Sequence, residues 1–225
     1  MRRKPSLVKI AQRLILSMPY IIEAMKLNIV NYSSLARLLK EDMERLSGRK
    51  LGEGSVKIAV LRAVKSLLEE YPPPERLSRA LRGSELRVVE GLSVLSVAMH
   101  EGDKLLEGLS QVEKAKFVQF IQGFSAFTVV AEESVASELL SRVSSRNVLQ
   151  YLREQAAIIL TGPPDILVTP GVVSHLAMSL SSRGINLTEV LSSYRDVIFV
   201  VSRSDVGRAV EVIRNLLEVL ERSAS

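Results

Sequence analysis

The segment from Ala156 to Leu220 alternates between strand-type and helix-type patterns at lengths that suit a small α+β module. Its first part, Ala156 to Leu160, is a short apolar run. The run ends at Thr161-Gly162-Pro163-Pro164-Asp165, a cluster whose fixed or positive φ angles stop a strand and form a loop. A strand followed by a loop is therefore predicted at the start of the module.

The rest of this segment completes the element order. Apolar residues recur at steps of three and four from Pro170, which predicts a helix with that proline in its first turn, and Gly184 ends it. Two β-prone runs follow, Ile185 to Ser193 and Val197 to Val201, and an amphipathic helix from Val206 to Leu220 closes the segment. The predicted order is β-α-β-β-α.

Three short pieces within this order carry a family resemblance: Thr169-Pro170-Gly171-Val172, then Gly184-Ile185-Asn186, then Phe199-Val200-Val201 before the closing helix. Their spacing resembles an ACT domain, in particular those in the regulatory half of aspartate kinases. The resemblance implies a ferredoxin-like fold, side-by-side pairing of such domains, and an amino-acid site where two of them meet. It thus implies a sensor, although the kinase half is absent.

The implied site suits the chemistry of a zwitterion, which needs amide donors for its carboxylate and acceptors for its ammonium. A helix amino terminus at Pro170 offers free amides and a favourable dipole, and Gly171 lets a ligand approach the backbone closely. By the resemblance, Thr169, Pro170, Gly171 and Val172 hold one end of the ligand. Asn186 then meets the other end, from the same unit or from the paired one.

The sequence departs from the aspartate kinase pattern at two positions. Val168 stands where an acid often lies two residues before the proline, and Ser192 stands where Gln often lies six residues after the asparagine. Both departures weaken any inherited preference for lysine or threonine. The alternative is that Gly171 and Gly184 only end elements, and that the ACT pair serves interaction alone.

Residues 92 to 143 repeat the same order without the Pro-Gly motif, which predicts a second, degenerate ACT-like unit with His100-Glu101-Gly102-Asp103 as its loop. Val148 to Leu152 can extend its last helix. Each unit as counted lacks a fourth strand. We expect either that Leu86 to Glu90 completes one sheet or that strands are exchanged between the units. The predicted elements are strands Leu86–Val89 and Leu92–Met99, helix Lys104–Glu113, strands Phe117–Ile121 and Ala126–Val130, and helix Val135–Val143.

The chain begins with helical patterns. Apolar spacing from Leu7 to Ile29, capped by Ser6 and kinked at Pro19, predicts helix. A second helix is predicted from Ser34 to Leu46 and a third from Val56 to about residue 71. Two helices after a supporting one fit a helix-turn-helix variant, whose second helix lies in the major groove.

The connection between these two helices, Ser47 to Gly54, is longer than the strict motif allows. Lys57, Arg62 and Lys65 lie on the polar side of the third helix and are the candidate DNA contacts. NYSSLARLL and GSVKIAVLRAVKSLL also resemble the amino-terminal segment of prokaryotic regulators of amino-acid metabolism that carry an ACT domain. The alternative is a solvated face on a three-helix subdomain that packs on the sensor or forms a dimer.

Charge separates the two parts of the chain. Residues 1 to 80 hold 16 Lys and Arg against 8 Asp and Glu, whereas residues 81 to 225 hold 14 against 17. The first part is therefore net +8 and the second net −3. This asymmetry favours a polyanionic partner for the amino-terminal part.

Composition excludes several classes of site. The chain has no cysteine, and its two histidines, His100 and His175, are too few for a common zinc site. Phosphate-loop and dinucleotide fingerprints are absent, so neither a catalytic constellation nor a cofactor is predicted. No apolar run reaches the ~18 residues of a membrane span, and the start lacks the pattern of a signal peptide. The expected location is the cytoplasm.

Together these patterns predict an α+β protein with a helical, helix-turn-helix-like domain at residues 1–80, a degenerate ferredoxin-like ACT unit at 81–150 and an ACT domain at 151–225. The boundary is the stiff stop Pro72-Pro73-Pro74. The predicted function is an amino-acid-responsive regulator that binds double-stranded DNA as a homodimer. The alternative is a non-catalytic ACT subunit that docks on an amino-acid biosynthetic enzyme.

Overall fold

The computed structural model describes residues 5–70, 74–110 and 115–222. They divide into two units, residues 1–74 and 75–225. Residues 71–73, which hold most of the predicted proline stop, lie outside the described residues.

The first unit is helical, and its capping residues are those that the sequence marks. Ser6 Oγ accepts a hydrogen bond from Lys9 N at 3.3 Å, and Asn31 Oδ1 accepts from the first amides of the third helix. Gly48, at φ 69°, ends that helix in the left-handed conformation. The described helices are α1 (Leu7–Leu16), α2 (Pro19–Lys26), α3 (Tyr32–Ser47) and α4 (Glu53–Glu70).

The link between α3 and α4 is shorter than the sequence predicts. Because α4 begins at Glu53, with Gly54 inside its first turn, the link is residues 48–52. Glu44 closes it: the carboxylate accepts from Leu51 N at 2.8 Å, and this hydrogen bond, aided by Lys50, lowers the pKa of Glu44. The helix-turn-helix arrangement itself stays a prediction.

The second unit begins with a helix and continues as two β-α-β-β-α repeats. The predicted order of both repeats is thus present. Its described elements are α5 (Pro74–Leu81), β1 (Glu85–Ala98), α6 (Gly102–Ser110), β2 (Val118–Gln122), β3 (Ala126–Glu132), α7 (Glu133–Arg142), β4 (Val148–Thr161), α8 (Val172–Ser181), β5 (Glu189–Ser193), β6 (Asp196–Ser202) and α9 (Val206–Arg222).

The two long strands join the repeats into one antiparallel sheet, ordered β2-β3-β1-β4-β6-β5 among the described residues. Leu86 pairs with Leu160, so the first half of β1 lies beside the second repeat's strands. Val97 pairs with Val148, so the first half of β4 lies beside the first repeat's strands. Each repeat therefore obtains its fourth strand from the other, as the expected exchange requires.

The strand predicted over Ile185–Ser193 is right only in its second part, since β5 begins at Glu189. The prediction for residues 148–152 is wrong. Val148 to Leu152 does not extend a helix but begins β4. Helix α7 ends at Arg142 because Val143 is extended, and a short 3₁₀ turn, Ser145–Asn147, redirects the chain into the sheet. A five-residue apolar run has no distinctive periodicity, and its pairing with β1 determines its conformation.

The sheet bends where both long strands have a residue with positive φ, Gly91 at 73° and Glu154 at 52°. Register shifts in the β1–β4 pairing occur beside Gly91. On one face of the strands, helices cover a separate core in each half. On the opposite face, Val94 and Val130 of one half and Val200 of the other belong to one fully buried cluster that contains no helix residue among those described. This face therefore carries a core that both halves of the sheet share.

Helix α5 packs in the second unit. Ala80 and Leu81 are buried in the same core as Leu160, and Ser78 Oγ donates to Leu220 O at 3.0 Å. The sequence analysis places residues 75–80 with the helical domain, whereas this packing places them with the sheet. The division at residue 150 stays a prediction, and β4 runs across it.

Candidate ligand pocket

The loop between β4 and α8 is held by its own backbone and hydroxyl groups. It contains a 3₁₀ turn, Pro164–Leu167, and Thr169 Oγ1 donates to Asp165 O at 2.8 Å. Gly171, at φ 96°, turns the chain into α8 in a conformation that residues with a side chain rarely adopt. The loop therefore leads into α8 through a turn at Gly171.

The amino terminus of α8 has no side-chain cap among the described residues. Ser174 Oγ donates to Gly171 O at 3.0 Å instead of accepting from an amide. A Cβ placed on Gly171 has Ser174 Oγ, at 4.0 Å, as its near neighbour. The amides of the first turn consequently face open space beside Gly171, and the helix dipole favours negative charge there.

A pocket of about 270 Å³ lies at this helix terminus, and we call it the loop pocket. It brings together three predicted ligand residues, Thr169, Gly171 and Val172. Pro170 belongs to the same loop but is not part of the lining. The residues that line the loop pocket are Ile166, Leu167, Thr169, Gly171, Val172, Val173, Ser174, Ser192, Tyr194 and Val197.

Asn186 is not part of the loop pocket of its own chain. It is exposed and follows Gly184, beyond the carboxyl end of α8. The ten residues of this helix rise by ~15 Å, which separates Asn186 from the pocket at the opposite end. The sequence left open whether Asn186 meets the ligand from the same unit or from a paired one. The structure disfavours contact from the same unit.

Two lining residues come from the far hairpin, and the sequence analysis did not select them as ligand contacts. Ser192 is on β5, and Tyr194, 77% exposed, stands in the turn between β5 and β6. Tyr194 has a φ of 51°. The turn residues Tyr194 and Arg195 lack the Asn-Gly or Asp-Gly signal of such turns, so no local sequence pattern indicates this wall.

The corresponding loop of the first repeat is filled by its own side chains. Glu101 is buried, with Lys104 Nζ at 2.7 Å from its carboxylate, and accepts a hydrogen bond from Asn147. Lys104, then Asn147, hold the pKa of Glu101 below its usual value. A Cβ on Gly102 would lie 2.1 Å from the Phe127 ring. At Gly102 this loop therefore lacks the open space found beside Gly171.

The basic residues predicted on α4 are all exposed: Lys57, Arg62 and Lys65. Among the described residues, none of them has a carboxylate within 4.0 Å. Ile58 and Leu61 are exposed between them. The face therefore combines uncompensated positive charge with apolar surface.

A depression of about 290 Å³ between α3 and α4 extends this basic surface. Arg37 and Lys40 line it together with Lys57, and Glu53 contributes one carboxylate. Positive charge thus continues from α4 onto α3.

Two kinds of feature are absent from the described residues. No helix in the described ranges combines the length and apolar character of a bilayer crossing. Within the same ranges, no three His, Asp or Glu side chains gather in a way that would hold a metal ion.

Comparison with known proteins finds likeness in solved structures only. No family model and no curated protein matches the sequence. The ligand-free regulatory subunit of aspartate kinase from Thermus thermophilus superposes with a TM-score of 0.50 at 13% identity, covering 60% of this chain and 97% of that one. The regulatory subunit from Thermus flavus gives 0.48 at 13% identity, covering 60% and 97%.

Aspartate kinase from Clostridium acetobutylicum gives a TM-score of 0.48 at 17% identity, covering 58% of this chain and 33% of that one. The matched region therefore spans about a third of that enzyme's length. At 13% identity, the likeness to the Thermus thermophilus subunit shows a shared fold. This shared fold agrees with the fold implied by the resemblance of the Pro-Gly and Gly-Ile-Asn pieces.

Proposed function

We propose that this chain is a non-catalytic regulatory protein that binds a free amino acid in the loop pocket. The observation that carries the proposal is the amino terminus of α8. It has no side-chain cap among the described residues, and its first residues line the loop pocket. One solved structure with the same fold, from Thermus thermophilus, is described as the regulatory subunit of aspartate kinase, which supports a regulatory role.

The groups around the pocket suit the parts of an amino acid. Amides of the first turn, Val172 to Ser174, receive the carboxylate, because they have no side-chain cap and the helix dipole favours an anion. The apolar lining receives the side chain. The ammonium needs acceptors, and Asn186 of a second copy supplies one, since Asn186 of the same chain lies at the other end of α8.

A thermal-shift screen of the full chain against the twenty amino acids tests the proposal. A ligand at 100 times its Kd adds about 2.7 kcal/mol to the folded state, which raises the Tm measurably. Gly171→Val should abolish the response, because a branched side chain resists φ 96° and occupies the space of the carboxylate. Asn186→Ala should weaken the response without lowering the Tm of the unliganded protein.

Gly48→Val is the matched control. Gly48 also has positive φ, 69°, but lies in the helical unit. The control should lose stability through the same backbone strain and keep the ligand response. A flat screen for all twenty amino acids would leave the ACT-like pair as an interaction module.

A second candidate function concerns the output of the helical unit. The exposed, uncompensated face of Lys57, Arg62 and Lys65 favours binding to double-stranded DNA. Lys and Arg neutralise phosphates, so the affinity should fall with salt by a log-log slope of about −0.9 for each phosphate contact. Ligand would change DNA affinity only if the two states of the protein differ in ligand affinity.

Titration of the full chain with a duplex of mixed sequence, at several salt concentrations, tests this output. The double variant Arg62→Ala/Lys65→Ala should bind more weakly and with a shallower salt slope. Arg79→Ala/Arg214→Ala removes two exposed cations from the second unit and should change neither quantity. Absence of binding at low salt would favour the alternative, docking on a biosynthetic enzyme.

A further inference from the structure

The loop pocket has no charged side chain among its described lining residues. One side of it is aliphatic, formed by Ile166, Leu167 and Val197 with the first residues of α8. The polar side chains on its walls are three hydroxyls and one phenol. The lining therefore provides no counter-charge for a charged side chain on the ligand.

Three charged residues adjoin the lining in sequence, and none of them belongs to it: Asp165 is exposed, whereas Arg195 and Asp196 are engaged elsewhere. Arg195 Nε donates to Gly162 O at 2.6 Å, and Asp196 accepts from Thr161 Oγ1 at 2.6 Å. Both line a neighbouring depression of about 280 Å³ instead, and Tyr194 borders that depression and the loop pocket. Tyr194 thus separates the loop pocket from these charges.

The three lining hydroxyls can still bind a ligand: all three oxygens can accept a hydrogen bond, and one hydroxyl can donate. Thr169 and Ser174 each donate to a backbone carbonyl, so their oxygens remain able to accept. Among the described residues, the Ser192 hydroxyl makes no side-chain hydrogen bond, and it lines the pocket on the side opposite α8. Ser192 can therefore donate to, or accept from, a hydroxyl on the ligand.

We propose that the loop pocket selects amino acids with uncharged side chains, aliphatic or hydroxyl-bearing. This inference rests on the proposed function and names the ligand class of the same site. A cationic or anionic side chain would be transferred from water to aliphatic walls without a counter-charge, which opposes binding strongly.

Isothermal titration of the full chain tests the class directly. The probes are valine, isoleucine, threonine and serine, against lysine, arginine, aspartate and glutamate. Ser192→Asp places a carboxylate on the pocket wall. It should weaken binding of the uncharged ligand roughly tenfold, about 1.4 kcal/mol, and make lysine or arginine binding measurable. Ser193→Asp adds the same charge at the next exposed position of β5, outside the lining, and should leave every affinity unchanged.

The outcomes distinguish failure of the inferred ligand class from failure of the proposed function. If a charged amino acid binds the wild type best and Ser192→Asp alters that binding, the site stands and the inferred class is wrong. If an uncharged amino acid binds and neither Ser192→Asp nor Gly171→Val affects it, the ligand lies elsewhere, and both the inference and the proposed site fail. If none of these eight probes binds, the inferred class is wrong, and the proposed function fails with it only if the thermal-shift screen of all twenty amino acids is also flat.

Discussion

Glu101 shows how a single residue distinguishes the two repeats. Its ion pair with Lys104 lowers its pKa, so the folded protein binds a proton there more weakly than the unfolded chain does. The resulting stabilisation is present above the usual pKa of 4.5 and is lost as pH falls through the lower folded value. The Tm should therefore drop below about pH 4.5.

Glu101→Gln should lower the Tm at neutral pH and flatten this acid dependence, as measured by scanning calorimetry from neutral to acidic pH. Glu107→Gln, at an exposed position of α6, is the control and should retain the wild-type profile. Equal acid slopes for both variants would show that Glu101 contributes nothing.

The sequence could not reveal contacts between residues that are far apart along the chain. His100-Glu101-Gly102-Asp103 is recognisable as a loop without Pro-Gly, but Asn147 reaches Glu101 across 46 residues of sequence. Proline and glycine mark the loop at Thr169 to Val172 locally, and the ACT resemblance implied its ligand role; Thr169, Gly171 and Val172 line the loop pocket. Ser192 and Tyr194 were not predictable, because only the hairpin β5–β6 brings them to the loop pocket.

At the scale of elements, local periodicity predicts the helices and the order of strands, whereas pairing determines strand length. Gly91 reads as a break between two runs, yet β1 continues through it as a bulge. Val148 to Leu152 carries no periodicity that separates strand from helix, and only β1 makes it a strand.

Gly91→Val tests the bend in β1. The φ of 73° disfavours a branched residue, while a Cβ there would have nothing within 4 Å, so the cost is backbone strain alone. We expect a loss of about 1–2 kcal/mol and a Tm lower by roughly 2–4 °C for each kcal/mol, measured by calorimetry. Gly91→Asn should cost less, because Asn tolerates positive φ. A Val variant as stable as the wild type would contradict this account of the bend.

For the whole molecule, the positions of Asn186 and the loop pocket at opposite ends of α8 favour a site shared between two copies. Strands β2 and β5 each pair on one side only among the described strands, and such edges favour pairing with another copy. Light scattering should therefore give twice the chain mass of 24.9 kDa at micromolar concentration. The mass of one chain would contradict a dimer.

A mixture of the Gly171→Val and Asn186→Ala variants tests whether the two copies share the site. Gly171→Val should lose the amino-acid response because its loop pocket is blocked, and Asn186→Ala should weaken it because the ammonium loses an acceptor. In a mixed dimer, one site carries both changes, whereas the other combines an intact loop with an intact Asn186. When equal amounts are co-refolded, about half of the dimers should be mixed. Each mixed dimer should have one intact site, which is half of the wild-type stoichiometry. Titration calorimetry measures this recovery. If the site lay within one chain, mixing would restore no intact site, and the affinities would stay those of the separate variants.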